Sequence, residues 1–335
     1  MERLAVAVLV AAVTTAAVTF LVLRAALRRQ VLIDSPNERS SHERPKPRGG
    51  GVGVVLGLVA GLAFVSSGFV PDPAASRLLL GALACAAIGL LDDLRGLPVW
   101  PRLIVQFAAS LWLISETGPL SRLPLPAPLD LPLGIFGFVF PVVWLVGVTN
   151  FFNFMDGIDG LAAGQAVAVC FAVAAGAWSQ GALVLALVLV GALAGFLPFN
   201  WWPSRIFLGD VGSLPVGFLL AGLPLLAPGP DRPRAVLAVA VGLTLFLLDP
   251  VLTLWRRWRR RAPLGQSHRE HLYQRLLGPK DPHQTVASAL VAAGLMLSVT
   301  GGIAYRVPWL GWPCILVAAL AFGVEYQLAS RTANR

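Results

Sequence analysis

Two adjacent carboxylates, Asp92 and Asp93, close an apolar stretch that reads Gly89-Leu-Leu-Asp92-Asp93-Leu-Arg95. Like charges this close repel, so in a dry site they need a bound cation or a shared proton. The alternative is a solvated helix end, although negative charge there opposes the helix dipole. Further on, Asn150-Phe-Phe-Asn153-Phe-Met-Asp156-Gly-Ile-Asp159-Gly160 sets two amides and two carboxylates among apolar residues and glycine. Oxygen ligands of this kind suit a hard cation such as magnesium, which itself prefers a substrate phosphate and several waters. Helix capping would account for one of these four side chains but not for all. A third group is Phe207-Leu-Gly209-Asp210-Val-Gly212-Ser213. Here Asp210 opens a helix whose N-terminal amides favour an anion, and Phe207 offers a stacking face for a base. A plain capping residue and an interfacial anchor are the competing readings.

Two basic segments accompany these groups. The first runs from Asp34 through Ser-Ser-His42-Glu-Arg-Pro-Lys46-Pro-Arg48 into Gly49-Gly50-Gly51. Forked arginine donors beside glycines suit a phosphate, while a basic loop that only sets topology is the other reading, and both stay open. The second holds Arg256, Arg257, Arg259, Arg260 and Arg261, then Ser267-His268-Arg269-Glu270-His271. The arginine run reads as lipid-facing electrostatics. His268, Arg269 and His271 instead form a compact set of donors for a diphosphate. Zinc is poorly supported, because no cysteine is near and no His-Glu-x-x-His helix exists. His42 and His283 receive no assignment, and Asp249, just before Pro250, is a buried group that could act behind the site.

The elements that must position these residues are membrane helices. Of 335 residues, 56% are hydrophobic and only 13% charged, against about a quarter charged in a soluble domain. Eleven apolar stretches lie at about 4–27, 51–69, 77–92, 99–116, 133–149, 161–178, 181–198, 213–227, 235–255, 285–303 and 309–328. They predict an all-α polytopic bundle of about eleven transmembrane helices, one domain over residues 1–335, with loops carrying the chemistry. The scarcity of polar alternation argues against a barrel. Cys85, Cys170 and Cys314 lie in separate apolar runs and read as small core residues. With an outer amino terminus and an inner carboxyl terminus, 20 of the 26 Lys and Arg fall on the inner side, as the positive-inside rule asks. All four histidines and most carboxylates fall there too, so the net charge of +9 reads as loops facing anionic lipid, not as a nucleic-acid interface.

Taken together, these residues resemble the polyprenyl-phosphate N-acetylhexosamine-1-phosphate transferases (glycosyltransferase family 4), membrane enzymes that start peptidoglycan, O-antigen, teichoic acid and N-glycan assembly. The resemblance runs from about Asp34 to Arg275. It rests chiefly on the stretches at 150–160 and 207–213, supported by the Asp-Asp pair and the Pro-x-Pro-Arg-Gly-Gly loop. It implies a cytoplasmic site in a bacterial inner membrane, magnesium or manganese, a UDP-N-acetylamino sugar donor and an undecaprenyl phosphate acceptor. A homodimer is also compatible with it. On that resemblance Asp92 and Asp93 act on the lipid phosphate, Asp156 and Asp159 shape the nucleotide and metal site, and Asn153 with Asp210 hold the metal. Arg48, His268, Arg269 and His271 would hold phosphates, and Phe207 with Asn200 the uridine. The peptidoglycan branch has a lysine where Gly96 stands and a run of three histidines where this chain has His268-Arg-Glu-His271. The sequence therefore looks more like the branch that starts O-antigen and other surface polysaccharides. The peptidoglycan transferase, a lipid-linked sugar transporter or flippase, and an inactive assembly scaffold are the alternatives. The clustering of ionisable groups on one side, rather than at the midplane, weakens the transport reading.

Overall fold

The computed structural model describes residues 2–34, 45–66, 72–263, 270–277 and 283–332. His268, Arg269 and His42 lie outside these residues. The helices are α1 (Glu2–Arg29), α2 (Gly51–Ser66), α3 (Pro73–Arg95), α4 (Val99–Thr117), α5 (Phe136–Phe154), α6 (Leu161–Gly176) and α7 (Gln180–Asn200). They are followed by α8 (Asp210–Gly222), which continues as a 3-10 turn over Leu223–Leu226, then α9 (Arg232–Gly242), α10 (Thr244–Arg259), the short α11 (Leu272–Arg275), α12 (His283–Arg306) and α13 (Gly311–Thr332). The only sheet among the described residues pairs Ile33–Asp34 (β1) antiparallel with Lys46–Pro47 (β2) and folds the first basic segment back on itself.

The protein is thus an all-α membrane bundle, and every apolar stretch seen in the sequence is helical. Six helices are long and apolar enough to cross a bilayer, and the bent α9–α10 pair makes a seventh. The expected eleven crossings are therefore not eleven full-length ones: α2, α6 and α8 are shorter apolar helices. The 235–255 stretch also differs from its reading as one span, because it breaks between Gly242 and Thr244 with a bend of 73°. Backbone polar groups freed by such a break must be satisfied inside the protein. Gln165 Nε2 on α6 donates to the Gly242 carbonyl at 2.8 Å, and Thr244 Oγ1 donates to Val241 O at 2.8 Å.

Small residues set the closest helix pair. On α2, Gly53 and Gly57 face α1, where an added Cβ would lie 2.2 Å from Thr19 Oγ1 and 1.9 Å from Thr15 Oγ1. In lipid, where apolar burial does not drive helices together, such close approach supplies the association. Thr15 Oγ1 uses it to donate to Gly53 O at 3.1 Å. Alternation of the spans gathers the reversals after α1, α3, α5, α7 and α10 at one end of the bundle, and the polar segments named above all belong to those five reversals.

Candidate active site

The site is built where α3 meets the start of α8. Asp93 is 4% exposed, and its Oδ1 and Oδ2 accept from Asp210 N at 3.2 Å and Val211 N at 3.0 Å. These are the orphan amides of the α8 N-terminus, so the anion that this helix end favours is the protein's own Asp93. Gly209 makes the contact possible: its φ is +73°, and a Cβ there would lie 2.7 Å from Asp93 Oδ2. Arg48 adds charge, donating from Nη2 to Asp93 O at 2.6 Å, with Nε 3.8 Å from Asp93 Oδ1. Asp93 was expected to act on a lipid phosphate beside Asp92. In this structure both of its oxygens accept from backbone amides, and it holds Asp210 in place.

Asp92 closes α3, where its Oδ2 accepts from Arg102 Nη1 at 2.7 Å. The same Arg102 nitrogen donates to Asp210 Oδ2, so one guanidinium stands between two carboxylates. Arg95, the cation nearest in sequence, is exposed and does not take that place. From α5, Asn153 Nδ2 donates to Asp210 Oδ1 at 2.9 Å and to Ser213 Oγ at 2.8 Å. That spends the amide nitrogen and leaves the Asn153 carbonyl oxygen as an available ligand. Asp156 follows in the loop after α5. Burial, reinforced by the charges of Asp210, Asp93 and Asp159, holds its carboxyl well above the usual carboxylate range. The cluster therefore carries more negative charge than Arg48 and Arg102 offset, which is a setting for a divalent cation. No three His, Cys, Asp or Glu side chains among the described residues are grouped as a ready metal cage. Magnesium does not need one, since it binds through one or two carboxylates plus waters and substrate phosphates. Asp210 and Asn153 fit that requirement.

Asp159 belongs to a neighbouring pocket. It is 2% exposed and accepts from Ser204 N at 2.9 Å, Ser204 Oγ at 2.7 Å and Lys46 Nζ at 3.2 Å. His283 Nδ1, at the start of α12, lies 3.9 Å from it. Lys46 Nζ also sits 5.2 Å from the centre of the Phe207 ring and 5.8 Å from that of Trp202. Phe207 and Trp202 thus flank a buried polar cluster of Lys46, Asp159 and Ser204. Asn200, expected to contact uridine, lies at the end of α7 and is 3% exposed. Its Oδ1 accepts from Gly160 N at 3.1 Å, and its Nδ2 donates to Ile206 O at 3.1 Å. With both amide ends spent on backbone, it braces the 201–209 loop against the 155–160 loop.

The last segment reaches the site through Asp249. This carboxylate on α10 is fully buried and accepts from Leu272 N at 2.9 Å, Tyr273 N at 3.2 Å and Thr253 Oγ1 at 3.0 Å. His271 Nδ1 lies 3.2 Å from Asp249 Oδ1, a pairing that fixes the ring and its tautomer. Tyr273 donates its hydroxyl to Phe154 O at 3.2 Å and carries His271 to the end of α5. Arg102, Lys46, Ser204 and His283 are the residues that sequence reasoning did not assign. Lys46, Arg102 and His283 were visible only as inner-side basic residues, and nothing in the spacing marked Ser204.

Comparison with known proteins agrees with this geometry. Residues 76–227 match the family model described as glycosyl transferase family 4. The chain is 28% identical over 307 residues to a Bacillus subtilis (strain 168) protein named probable undecaprenyl-phosphate N-acetylglucosaminyl 1-phosphate transferase, covering 90% of this chain and 84% of that one. It is 31% identical over 331 residues to the decaprenyl-phosphate N-acetylglucosaminephosphotransferase of Mycobacterium leprae (strain TN), covering 85% and 80%. It is 34% identical over 207 residues to the phospho-N-acetylmuramoyl-pentapeptide-transferase of Enterococcus faecalis (strain ATCC 700802 / V583), covering 58% and 64%. Membrane helices, a carboxylate cluster at one end of the bundle and these relatives agree: the chain belongs to the polyprenyl-phosphate N-acetylhexosamine-1-phosphate transferases of glycosyl transferase family 4.

Proposed function

We propose that the protein transfers an N-acetylamino-sugar 1-phosphate from a UDP-sugar to undecaprenyl phosphate, with magnesium, at the cytoplasmic face of a bacterial inner membrane. The product starts an O-antigen or other surface polysaccharide. A lipid phosphate oxygen attacks the sugar-linked phosphorus, the bond to the UMP oxygen breaks, and UMP leaves while undecaprenyl-diphosphate-sugar remains. The observation that carries this reading is the junction where Arg102 stands between Asp92 and Asp210, with Asn153 on Asp210 and Asp93 under its amide, so that three carboxylates meet the two guanidiniums of Arg48 and Arg102. Phosphoryl transfer depends on positioning and charge neutralisation more than on covalent chemistry. The fixed side chains would supply the positioning, and a bound cation would supply the neutralisation.

Asp210 and Asn153 would hold magnesium, which when bound offsets charge on the donor diphosphate. Arg102 spans Asp92 and Asp210 and is placed to meet the incoming phosphate, while Asp92 orients the acceptor. Asp93 acts through α8 by fixing Asp210. His271, oriented by Asp249, would present its other ring nitrogen as a donor or acceptor for the diphosphate, a role that the family resemblance also gives to His268 and Arg269. Phe207 and the Lys46–Asp159–Ser204 cluster suit a uracil ring with its polar edge. Direct attack is favoured over an aspartyl-phosphate, because Asp92 and Asp93 are both tied into hydrogen bonds. Relatives named as pentapeptide transferases support the peptidoglycan reaction as the second reading.

The test is a product assay on purified protein with undecaprenyl phosphate, magnesium and a panel of UDP-GlcNAc, UDP-MurNAc-pentapeptide and 6-deoxy amino sugar donors. UMP release with one donor establishes the reaction and names the sugar. In Asp210→Asn, turnover should fall about 100-fold or more, or demand far more magnesium. Unchanged magnesium dependence in that variant would remove Asp210 from the metal site.

A further inference from the structure

The C-terminal end of α10 carries a feature that the transfer reaction does not use. Beyond the bend at Gly242–Thr244, one face of α10 exposes Leu248, Val251, Trp255 and Trp258, the last two 48% and 67% exposed. Spacings of three and four residues place these groups on one stripe. The stripe ends in Arg259, Arg260 and Arg261, all exposed. Arg259 lies over the Trp255 ring at 4.9 Å, and Arg256 over Tyr326 of α13 at 5.2 Å. Glu270 is the acid beside this run and is taken by Arg257, with Arg260 at 3.6 Å. Among the described residues, Arg256, Arg259 and Arg261 have no carboxylate within ion-pair distance, and Arg256 Nη1 is buried without a hydrogen-bond partner.

An apolar stripe closed by tryptophans and then by uncompensated arginines matches a bilayer boundary bearing negative charge. We propose that the end of α10, with Arg256, Arg259 and Arg261 beside α13, binds the phosphate headgroup of an anionic phospholipid in the leaflet on the site side. We further infer that this contact sets the position of α10 for catalysis. The same rigid helix carries Asp249, which holds His271, and Arg257 pins the following segment by donating to Pro263 O at 2.6 Å. The bend leaves α10 joined to α9 only through Leu243, so a load at its far end is transmitted to Asp249.

The binding part is tested on the purified full-length protein by native mass spectrometry, with phosphatidylglycerol and phosphatidylcholine of the same acyl chains as probes. The wild type should retain phosphatidylglycerol preferentially and lose the preference in high salt. Arg259→Gln/Arg261→Gln, checked for an unchanged melting profile, should weaken retention by roughly fivefold for each arginine removed. Equal retention of the two lipids by the wild type, or wild-type retention by the folded double variant, overturns the site. Should that variant not fold, the salt dependence of the wild type decides alone.

The coupling part rests on the proposed transferase reaction and is read separately, in phosphatidylcholine vesicles with increasing phosphatidylglycerol at fixed acceptor density. The donor KM of the wild type should fall several-fold, while that of the double variant stays flat. Parallel curves overturn the coupling. Absence of turnover with every donor counts against the proposed reaction, while lipid retention still judges the binding site.

Discussion

Arg102 decides how the carboxylates can coexist. Its Nη1 donates to Asp92 Oδ2 at 2.7 Å and also to Asp210, so removing it leaves two half-buried acids facing each other uncompensated. Arg102→Gln should lower kcat by about 100-fold with little loss of folded protein, and Arg102→Lys should recover part of it, since charge returns without the fork. A Gln variant with wild-type kcat would make Arg102 a structural tie only. Asp156 makes a second prediction, in pH. Its native carboxyl lies well above the usual range, through burial first and neighbouring charge second. A group that binds its proton more tightly when folded contributes most stability below the ordinary carboxylate range, and that stability is lost as pH rises toward the native value. The melting temperature of chelator-treated protein should therefore decline as pH rises above the ordinary carboxylate range of about 4 more steeply in the wild type than in Asp156→Asn, and magnesium should lessen the difference. Equal slopes would show that Asp156 does not carry this charge. At this scale the sequence was legible where an unusual residue type stood out, as with two acids at a helix end or four polar groups among phenylalanines. Arg102, inside a run of ordinary apolar helix, and Asn200, whose amide looks the same bracing a loop as binding a base, were not.

Helices place those residues, and their ends do most of the work. Asp93 on α3 closes the α8 N-terminus, and Asp249 on α10 accepts the first amides of α11. In each case a carboxylate from one helix satisfies orphan donors of another and aims the residue beside them. The α9–α10 break is held by a neutral counterpart, the Gln165 amide on Gly242 O at 2.8 Å. Gln165→Met keeps length and volume but leaves that carbonyl unsatisfied, at a cost of about 1–3 kcal/mol. The variant should melt a few degrees lower in detergent, and its activity should fall further than its stability predicts, because α10 carries the Asp249–His271 pair. A variant with wild-type melting and turnover would mean that water or a neighbour replaces the amide. Helix existence was legible throughout, since hydropathy alone reports what a bilayer requires. The break was not, because Gly242-Leu-Thr244 interrupts neither the hydropathy nor the length of the stretch, and its partner Gln165 lies 77 residues away.

Over the whole molecule, charge is distributed unevenly between the two ends of the bundle. At the end away from the site, arginines are matched locally: Arg77 with Glu116, Arg122 with Asp130 and Arg234 with Asp231. At the site end, the tip of α10 and the first basic segment hold arginines in excess of nearby acids. Such an excess is what retains a loop on the cytoplasmic side during insertion, and under the proposed function it falls on the face where a soluble nucleotide sugar would arrive. The two facts are linked, because the bias that orients the chain also leaves cations near an anionic substrate. On the proposed orientation the 201–209 loop faces the cytoplasm and the 118–135 loop faces outward. Single cysteines at Arg205 and Leu129, both exposed, test it against the three buried native cysteines. In intact cells a membrane-impermeant maleimide should label Leu129→Cys and leave Arg205→Cys until the membrane is opened. The reverse pattern would put the carboxylates outside, where UDP-sugars are absent, and would remove the nucleotide-sugar reaction along with the orientation.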